Sequence, residues 1–302
     1  MRSARLYQAL LAAALVAGPI AAQAPPRDRA FWQAIAERDA ALPEGEKAGA
    51  LALELVDVLG SPDPRLRDGF GYELLAAWVY RDGRLSPDEL ETLRKKLVAG
   101  LEERLGEAGT DSVLRRSFCA LDLSVLAAHD LKKPWMSGEA FAATLDAALA
   151  YLAAEKDLRG FEAGKGWVHA TAHTADLLKF LARSPRLTPE GQRKIVEGVA
   201  RRLRSAGLVF TWGEDARLAA ALLSLVRRKD LDPRPFHDWF AALASEHQAL
   251  WKGELDPAAY VRVRSQLNAL AHLAALVARQ EPGSVPAPFR EALDGTLGKT
   301  GG

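Results

Sequence analysis

Asp157-Leu158-Arg159-Gly160-Phe161-Glu162-Ala163-Gly164-Lys165-Gly166-Trp167-Val168-His169-Ala170-Thr171-Ala172-His173-Thr174-Ala175-Asp176-Leu177-Leu178 is the stretch on which the fold turns. Gly160, Gly164 and Gly166 fall within seven residues and break any helix arriving from upstream. An Ala/Leu-rich run with helical spacing starts at once after them and continues through Lys179-Phe180-Leu181-Ala182. A helix turns about 100° per residue, so His169, His173, Asp176 and Phe180 share one stripe, flanked by Ala170, Leu177 and Leu181. Two imidazoles and a carboxylate are therefore expected at the edge of a buried face.

Imidazoles four residues apart can share a metal ion, and Asp176 could add a third ligand or orient His173. Distance favours the second role. The rise from His169 to Asp176 is roughly 10 Å at about 1.5 Å per residue, whereas metal bonds to these groups are about 2 Å long. Ala170 follows His169, so the general-base Glu of a His-Glu-x-x-His site is missing. The candidate pocket comprises His169, His173, Asp176, Trp167, Lys165, Arg159, Asp157 and, from upstream, Arg116. The alternatives are two neutral imidazoles fixing the start of a buried helix, a ligand-binding or catalytic pocket, and a metal site for which His169 and His173 are weak candidates.

Residues 1–24 read as an export signal: Arg2 and Arg5, an apolar run from Leu6 to Ile20, then Ala22-Gln23-Ala24 as a small-x-small cleavage site. That run is too short and Ala-rich to span a membrane comfortably. The single cysteine, Cys119, lies far from this segment, so no lipid anchor is expected on it and no internal disulfide can form. The expectation is an exported protein, periplasmic or extracellular. Cleavage would remove two cations and no anions, taking 40 cations against 39 anions to 38 against 39, a net charge of −1. Such a balance offers no electrostatic case for nucleic acid or an anionic membrane.

The rest reads as helix throughout. Phe31 to Leu42 and Glu46 to Leu59 form a first pair, followed by Gly60-Ser61-Pro62-Asp63-Pro64-Arg65-Leu66-Arg67-Asp68. A helix end, a short Pro/Asp turn and an Arg early in the next helix are the parts of a HEAT-type hairpin. Ser86-Pro87-Asp88-Glu89 is a complete helix start with a capping box, and Ser137 and Thr188-Pro189-Glu190 are further starts. Long helices are expected to end near Gln280. The fold class is all-α, a HEAT-like α-α superhelix of stacked antiparallel hairpins. Residues 25–297 form one domain and 298–302 a disordered tail.

Two further groups carry possible chemistry. Arg115, Cys119 and Asp122 share a helix face next to Arg116, which suits an internal salt bridge between repeats or an anion-binding arginine. Glu214-Asp215 after Trp212 suits a helix start, and alternatively a pair of acids acting on a sugar. There is no Gly-x-Gly-x-x-Gly, Walker loop, Gly-x-Ser-x-Gly or Cys-x-x-Cys. No cofactor is expected.

Gly109-Thr110-Asp111-Ser112-Val113, Arg116-Ser117-Phe118, Asp157-Leu158-Arg159-Gly160, Gly164-Lys165-Gly166-Trp167, His169-Ala170, Ala172-His173 and Ala175-Asp176-Leu177-Leu178 together resemble the bacterial family known as domain of unknown function 2785. The likeness runs roughly from Ala50 to Arg279. It implies an all-helical, HEAT-like fold and carries over no catalytic assignment. Phe161 stands where the family pattern has Tyr, and Thr174 where it has Gly. Gly166-Trp167-Val168-His169 is also similar to the Gly-Trp-Cys-His of lanthionine cyclases, but Val168 replaces the metal-binding Cys, so zinc–thiolate chemistry is not implied.

The functional expectation is an exported helical-repeat binding or scaffold module. It would take a peptide, protein or small ligand at a polar pocket around His169, His173 and Asp176. The alternative is a hydrolase or lyase using the same groups, with or without a metal ion, and with Lys165, Arg159 or Arg116 polarising the substrate.

Overall fold

The computed structural model describes residues 27–300; the expected signal segment, 1–24, lies outside the described residues. Twelve helices make up the described residues: α1 (Arg29–Ala36), α2 (Ala48–Val58), α3 (64–81), α4 (Pro87–Glu102), α5 (Ser112–Lys132), α6 (Gly138–Ala154), α7 (Ala170–Arg183), α8 (Pro189–Ser205), α9 (Glu214–Val226), α10 (Arg234–Ala249), α11 (Pro257–Ala278) and α12 (Ala287–Thr300). The only sheet among the described residues is a two-stranded hairpin, β1 (Phe161–Glu162) and β2 (Gly166–Trp167), pairing antiparallel. The fold is all-α.

The start signals work as their chemistry demands. Ser86 Oγ accepts the Glu89 N–H while the Glu89 carboxylate accepts the Ser86 N–H at 2.8 Å, closing the capping box on α4. Ser137 and Thr188 cap α6 and α8 with the hydroxyl alone, accepting the N–H groups of Ala140 and Gly191.

Alternate helices pack side by side. α2 meets α4 where Lys96 Nζ donates to Leu53 O, and α4 meets α6 where Arg94 donates to Thr144 Oγ1. α6 meets α8 through Asp146 and Lys194, and α8 meets α10 through Arg204 and Glu246. A second row runs α3, α5, α7, α9. Lys132 on α5 reaches Tyr80 O on α3, Ser117 on α5 meets His173 on α7, and Arg183 on α7 meets Ser224 on α9. In each row like ends of successive helices meet, so neighbours within a row run parallel. α11 breaks this order: His272 near its C-terminal end sits 3.7 Å from Asp215 at the start of α9.

Some boundaries differ from the sequence expectation, each for a local reason. α1 stops at Ala36 because Asp39 and Ala40 turn left-handed (φ 52° and 60°), a turn held by Trp78 Nε1 donating to Ala40 O at 2.8 Å. α4 stops at Glu102, short of the end near Arg104 that its spacing suggests, because the carbonyls of Glu103 and Arg104 turn inward to Arg116. α3 is not a uniform helix but carries two π-helical segments, Arg67–Tyr72 and Ala77–Arg81. The tail expected to be disordered from 298 is helical to Thr300 in α12, a helix the sequence reading lacks. Phe289, Leu293 and Leu297 are buried there, and its Thr296 and Thr300 hydroxyls donate to backbone carbonyls of their own helix.

Candidate functional site

Between α6 and α7 the chain runs from Glu155 to His169 without a helix, and ion pairs fasten it down. Arg116 is fully buried, and its Nε donates to Glu155 at 2.6 Å. Its other donors reach Glu155 again, Ser112 Oγ and the carbonyls of Glu103, Arg104 and Glu107. Every guanidinium N–H is thereby used, which makes Arg116 a clamp between α5 and the chain leaving α6 rather than a free anion binder.

Asp157 accepts from the Gly109 N–H at 2.8 Å and from Arg159, whose NH2 also donates to Thr110 O. Burial pushes the Asp157 carboxyl up, but Arg159 and the backbone N–H groups of Gly109 and Arg159 outweigh it and hold it below the ordinary carboxylate range. Lys165 bridges Asp111 at 2.7 Å and Glu162 at 2.8 Å. From α3, Arg67 donates to the carbonyls of Ser61, Lys165 and Trp167. Four of the expected pocket cations and acids, Arg116, Asp157, Arg159 and Lys165, thus form the fastening of the hairpin.

What the hairpin delivers is His169, at the N-cap of α7 in a left-handed conformation (φ 52°, ψ 31°) rather than inside the helix. Its N–H donates to Arg159 O and its carbonyl accepts the His173 N–H. His169 Nε2 lies 3.0 Å from the carbonyl oxygen of Trp212, which can only accept, so the neutral ring carries its proton on Nε2. Ser117 Oγ donates its one proton to Val168 O and lies 2.8 Å from His173 Nδ1. His173 must therefore donate from Nδ1, leaving Nε2 as a bare acceptor with no partner among the described residues.

Burial is the largest cause holding both imidazoles below their ordinary value. At His173 the neighbouring His169 and Arg217 reinforce it; at His169 the Trp212 carbonyl partly offsets it.

The rings form a column from the core outward. Arg67 sits over Phe118 at 4.8 Å. Phe118 meets His173 edge-on at 5.0 Å, His173 meets His169 edge-on at 5.8 Å, and His169 stacks on Trp167 at 4.4 Å. At the outer end Phe161 and Trp212 join Trp167, with centroids 5.1 to 6.1 Å apart. These three aromatics remain 45, 39 and 50 % exposed for Phe161, Trp167 and Trp212 respectively. Gly160 makes their approach possible, since a Cβ there would lie 2.2 Å from Trp212 Cδ1. Beside them is a cleft of about 220 Å³ lined by Arg159, Phe161, Leu208, Phe210, Trp212 and Glu214.

Glu214 closes the floor, its Oε1 3.7 Å from His169 Nε2 and its Oε2 accepting the Trp212 N–H. Burial raises this carboxyl above its ordinary value against the pull of those backbone donors. Asp215, the other acid of that pair, instead faces His272.

Asp176 does not orient His173. It is held by Lys179 at 2.8 Å and by Arg217, which turn its carboxylate away from the ring, and Ser117 takes the ring nitrogen instead. Among the described residues no group of three or more His, Cys, Asp or Glu is placed to hold a metal ion. Nor is any helix there long and apolar enough to cross a membrane. Arg115 pairs with Asp57 and Glu103, whereas Asp122 is wholly buried with neither carboxyl oxygen bonded among the described residues.

Sequence reasoning missed Ser117, Phe161 and the meeting of Trp212 and Glu214 with His169. The only available signal was the second Gly-flanked Trp, in Thr211-Trp212-Gly213-Glu214, which resembles the first in composition.

No curated protein and no solved structure matches the chain. The sequence profile of one family matches residues 101–276, more than half of the chain, including the hairpin, both imidazoles and the three exposed aromatics. On that match the chain belongs to the family described as Protein of unknown function (DUF2785).

Proposed function

We propose that this protein is an exported binding module. In this reading its helical rows form a HEAT-like α-α superhelix over residues 25–297, and the ligand is taken at the aromatic face above His169. One observation carries the proposal: Phe161, Trp167 and Trp212 stay solvent-exposed while converging on a buried His169–Glu214 pair. An isolated exposed aromatic needs no explanation, but three in mutual contact beside a cleft are the usual composition of a recognition surface. The cleft, at about 220 Å³, is smaller than typical drug-sized sites of about 300–1,000 Å³ and suits a single ring. The ligand is therefore a molecule presenting one flat ring face with polar groups at its edge. His169 and His173 position this face, and Asp176 lies outside it with Lys179 and Arg217.

Export rests on the leader-like residues 1–24, and N-terminal sequencing of the secreted protein tests it. For the binding site, the indole N–H resonances of Trp167 and Trp212 are followed while free monosaccharides and aromatic dipeptides are titrated in. Saturable shifts at both indoles, abolished by Trp212→Ala at unchanged melting temperature, support the assignment. Silence of both indoles to every probe removes it.

The hydrolase or lyase reading keeps one favourable observation, the opposed displacement of Glu214 upward and His169 downward by burial. Such a pair is how a site prepares an acid and a base. The His169 proton is nevertheless committed to the Trp212 carbonyl, and Asp176 gives it no support.

A further inference from the structure

At the opposite end of α7, about 20 Å away along the helix, a larger hollow of about 660 Å³ opens between the C-terminal ends of α7 and α9. Arg183, Leu223, Ser224, Arg227, Arg228 and Lys229 line it, together with Pro185 and Asp230. Four cations thus face one acid, in a chain whose formal net charge is only +1.

Arg228 has an ordinary structural task. It donates to the carbonyls of Ala182, Ser184 and Leu187 past the end of α7, and it holds Asp230 through two hydrogen bonds. That leaves Arg183, Arg227 and Lys229, none of which forms an ion pair among the described residues. Arg183 is oriented all the same: its Nε donates to Ser224 Oγ at 3.1 Å, and its guanidinium rests over Phe180 at 5.3 Å. The bond to Nε leaves the two terminal nitrogens of the fork for the hollow. Burial lowers its basicity, and the neighbouring Arg227 lowers it further, the mark of two cations held together without a counter-ion.

Helix C-termini repel anions, each contributing roughly half a negative charge. Two such ends amount to about one negative charge, against three cations with no acid of their own. The hollow is electropositive even after that correction, and its volume lies within the range of small-molecule sites, about 300–1,000 Å³.

We infer that this hollow is a binding site for a multiply charged oxyanion of the phosphate class, gripped by the forks of Arg183 and Arg227 with Lys229 as a third charge. Guanidinium forks match adjacent phosphate oxygens, and an ammonium serves as a point charge beside them. The site is independent of the aromatic face and does not depend on the function proposed there.

Isothermal titration of the full-length mature protein with inorganic phosphate and pyrophosphate, at low ionic strength, tests the assignment. The expected result is one saturable site, tighter for pyrophosphate. Arg227→Ala and Arg183→Ala each weaken it at least about tenfold, and added salt weakens it further. Lys133→Ala, an exposed cation elsewhere, leaves it unchanged. Arg227 is exposed and Arg183 makes one side-chain bond, to Ser224, so the melting temperature holds; should Arg183→Ala lower it, Arg227→Ala decides alone. No saturable heat with either probe, or the same weakening in Lys133→Ala, overturns the inference. Tighter binding of citrate than of pyrophosphate overturns the phosphate class.

Discussion

Replacing Arg116 by Ala removes the clamp on which the hairpin depends. The guanidinium is fully buried, and its partner carboxylate, Glu155, is 3 % exposed. Once the cation is gone, Glu155 keeps only the Asp157 N–H, donating at 2.9 Å, among its backbone bonds. The carbonyls of Glu103, Arg104 and Glu107 lose a donor as well. Breaking a buried pair and stranding one charge costs about 3–5 kcal/mol. For a domain this large each kcal/mol lowers the melting temperature by about 2 °C, so a fall of about 6–10 °C is expected. Urea denaturation should show the midpoint falling with the slope unchanged. The double variant Arg116→Met/Glu155→Leu strands no charge and should recover much of the loss. A loss under about 1 kcal/mol for Arg116→Ala, the worth of a surface ion pair, or a double variant no better than the single one, would refute the clamp.

Asp122 supplies a pH test. Burial first, and then the neighbouring Asp68, raise its carboxyl well above the ordinary value of 3.8, so the folded protein keeps a proton that the unfolded chain has lost. Between those two values the folded state binds more protons, and stability falls as pH rises, by about 1.4 kcal/mol per pH unit. Asp122→Asn removes that dependence: the two proteins should match below pH 3.8 and diverge above it with the variant more stable, whereas a constant difference contradicts a protonated Asp122. Gly160→Ala forces a Cβ to within 2.2–2.6 Å of three Trp212 side-chain atoms, so the indole must move. Near-ultraviolet circular dichroism should change and stability should fall by about 1–3 kcal/mol; an unaltered spectrum would mean that Trp212 does not lie over Gly160.

Local chemistry made much of the helical framework readable. Caps such as Ser86 with Glu89, or Thr188, announce themselves within four residues because their bonds close within one turn. The π-helical segments of α3 escaped because nothing in Arg67-Asp68-Gly69-Phe70-Gly71-Tyr72 departs from helical spacing; the contacts of Arg67 with Lys165 and Trp167 span about a hundred residues. α12 escaped because Gly295 and Gly298 weaken its propensity, and packing of Phe289 and Leu293 restores what the local sequence lacks.

At the site, spacing placed His169 and His173 on one flank and assigned Asp176 to them. Spacing carries no information about Ser117 or Trp212, which arrive from α5 and from the loop before α9. The same limit explains Arg116, Arg159 and Lys165. Composition marks them as unusual cations near an unusual loop, but only their partners reveal that they fasten it.

The account stands most directly on the state of the two imidazoles beneath the aromatic face. Long-range proton–nitrogen correlation spectra of histidine-labelled protein, recorded through a pH titration, read both the protonation midpoint and the tautomer of each ring. His169 should be neutral with its proton on Nε2 and His173 neutral with its proton on Nδ1, both with midpoints below the ordinary 6.5. Midpoints at or above that value, or a proton on Nε2 of His173, would mean rings open to water and a column that does not exist.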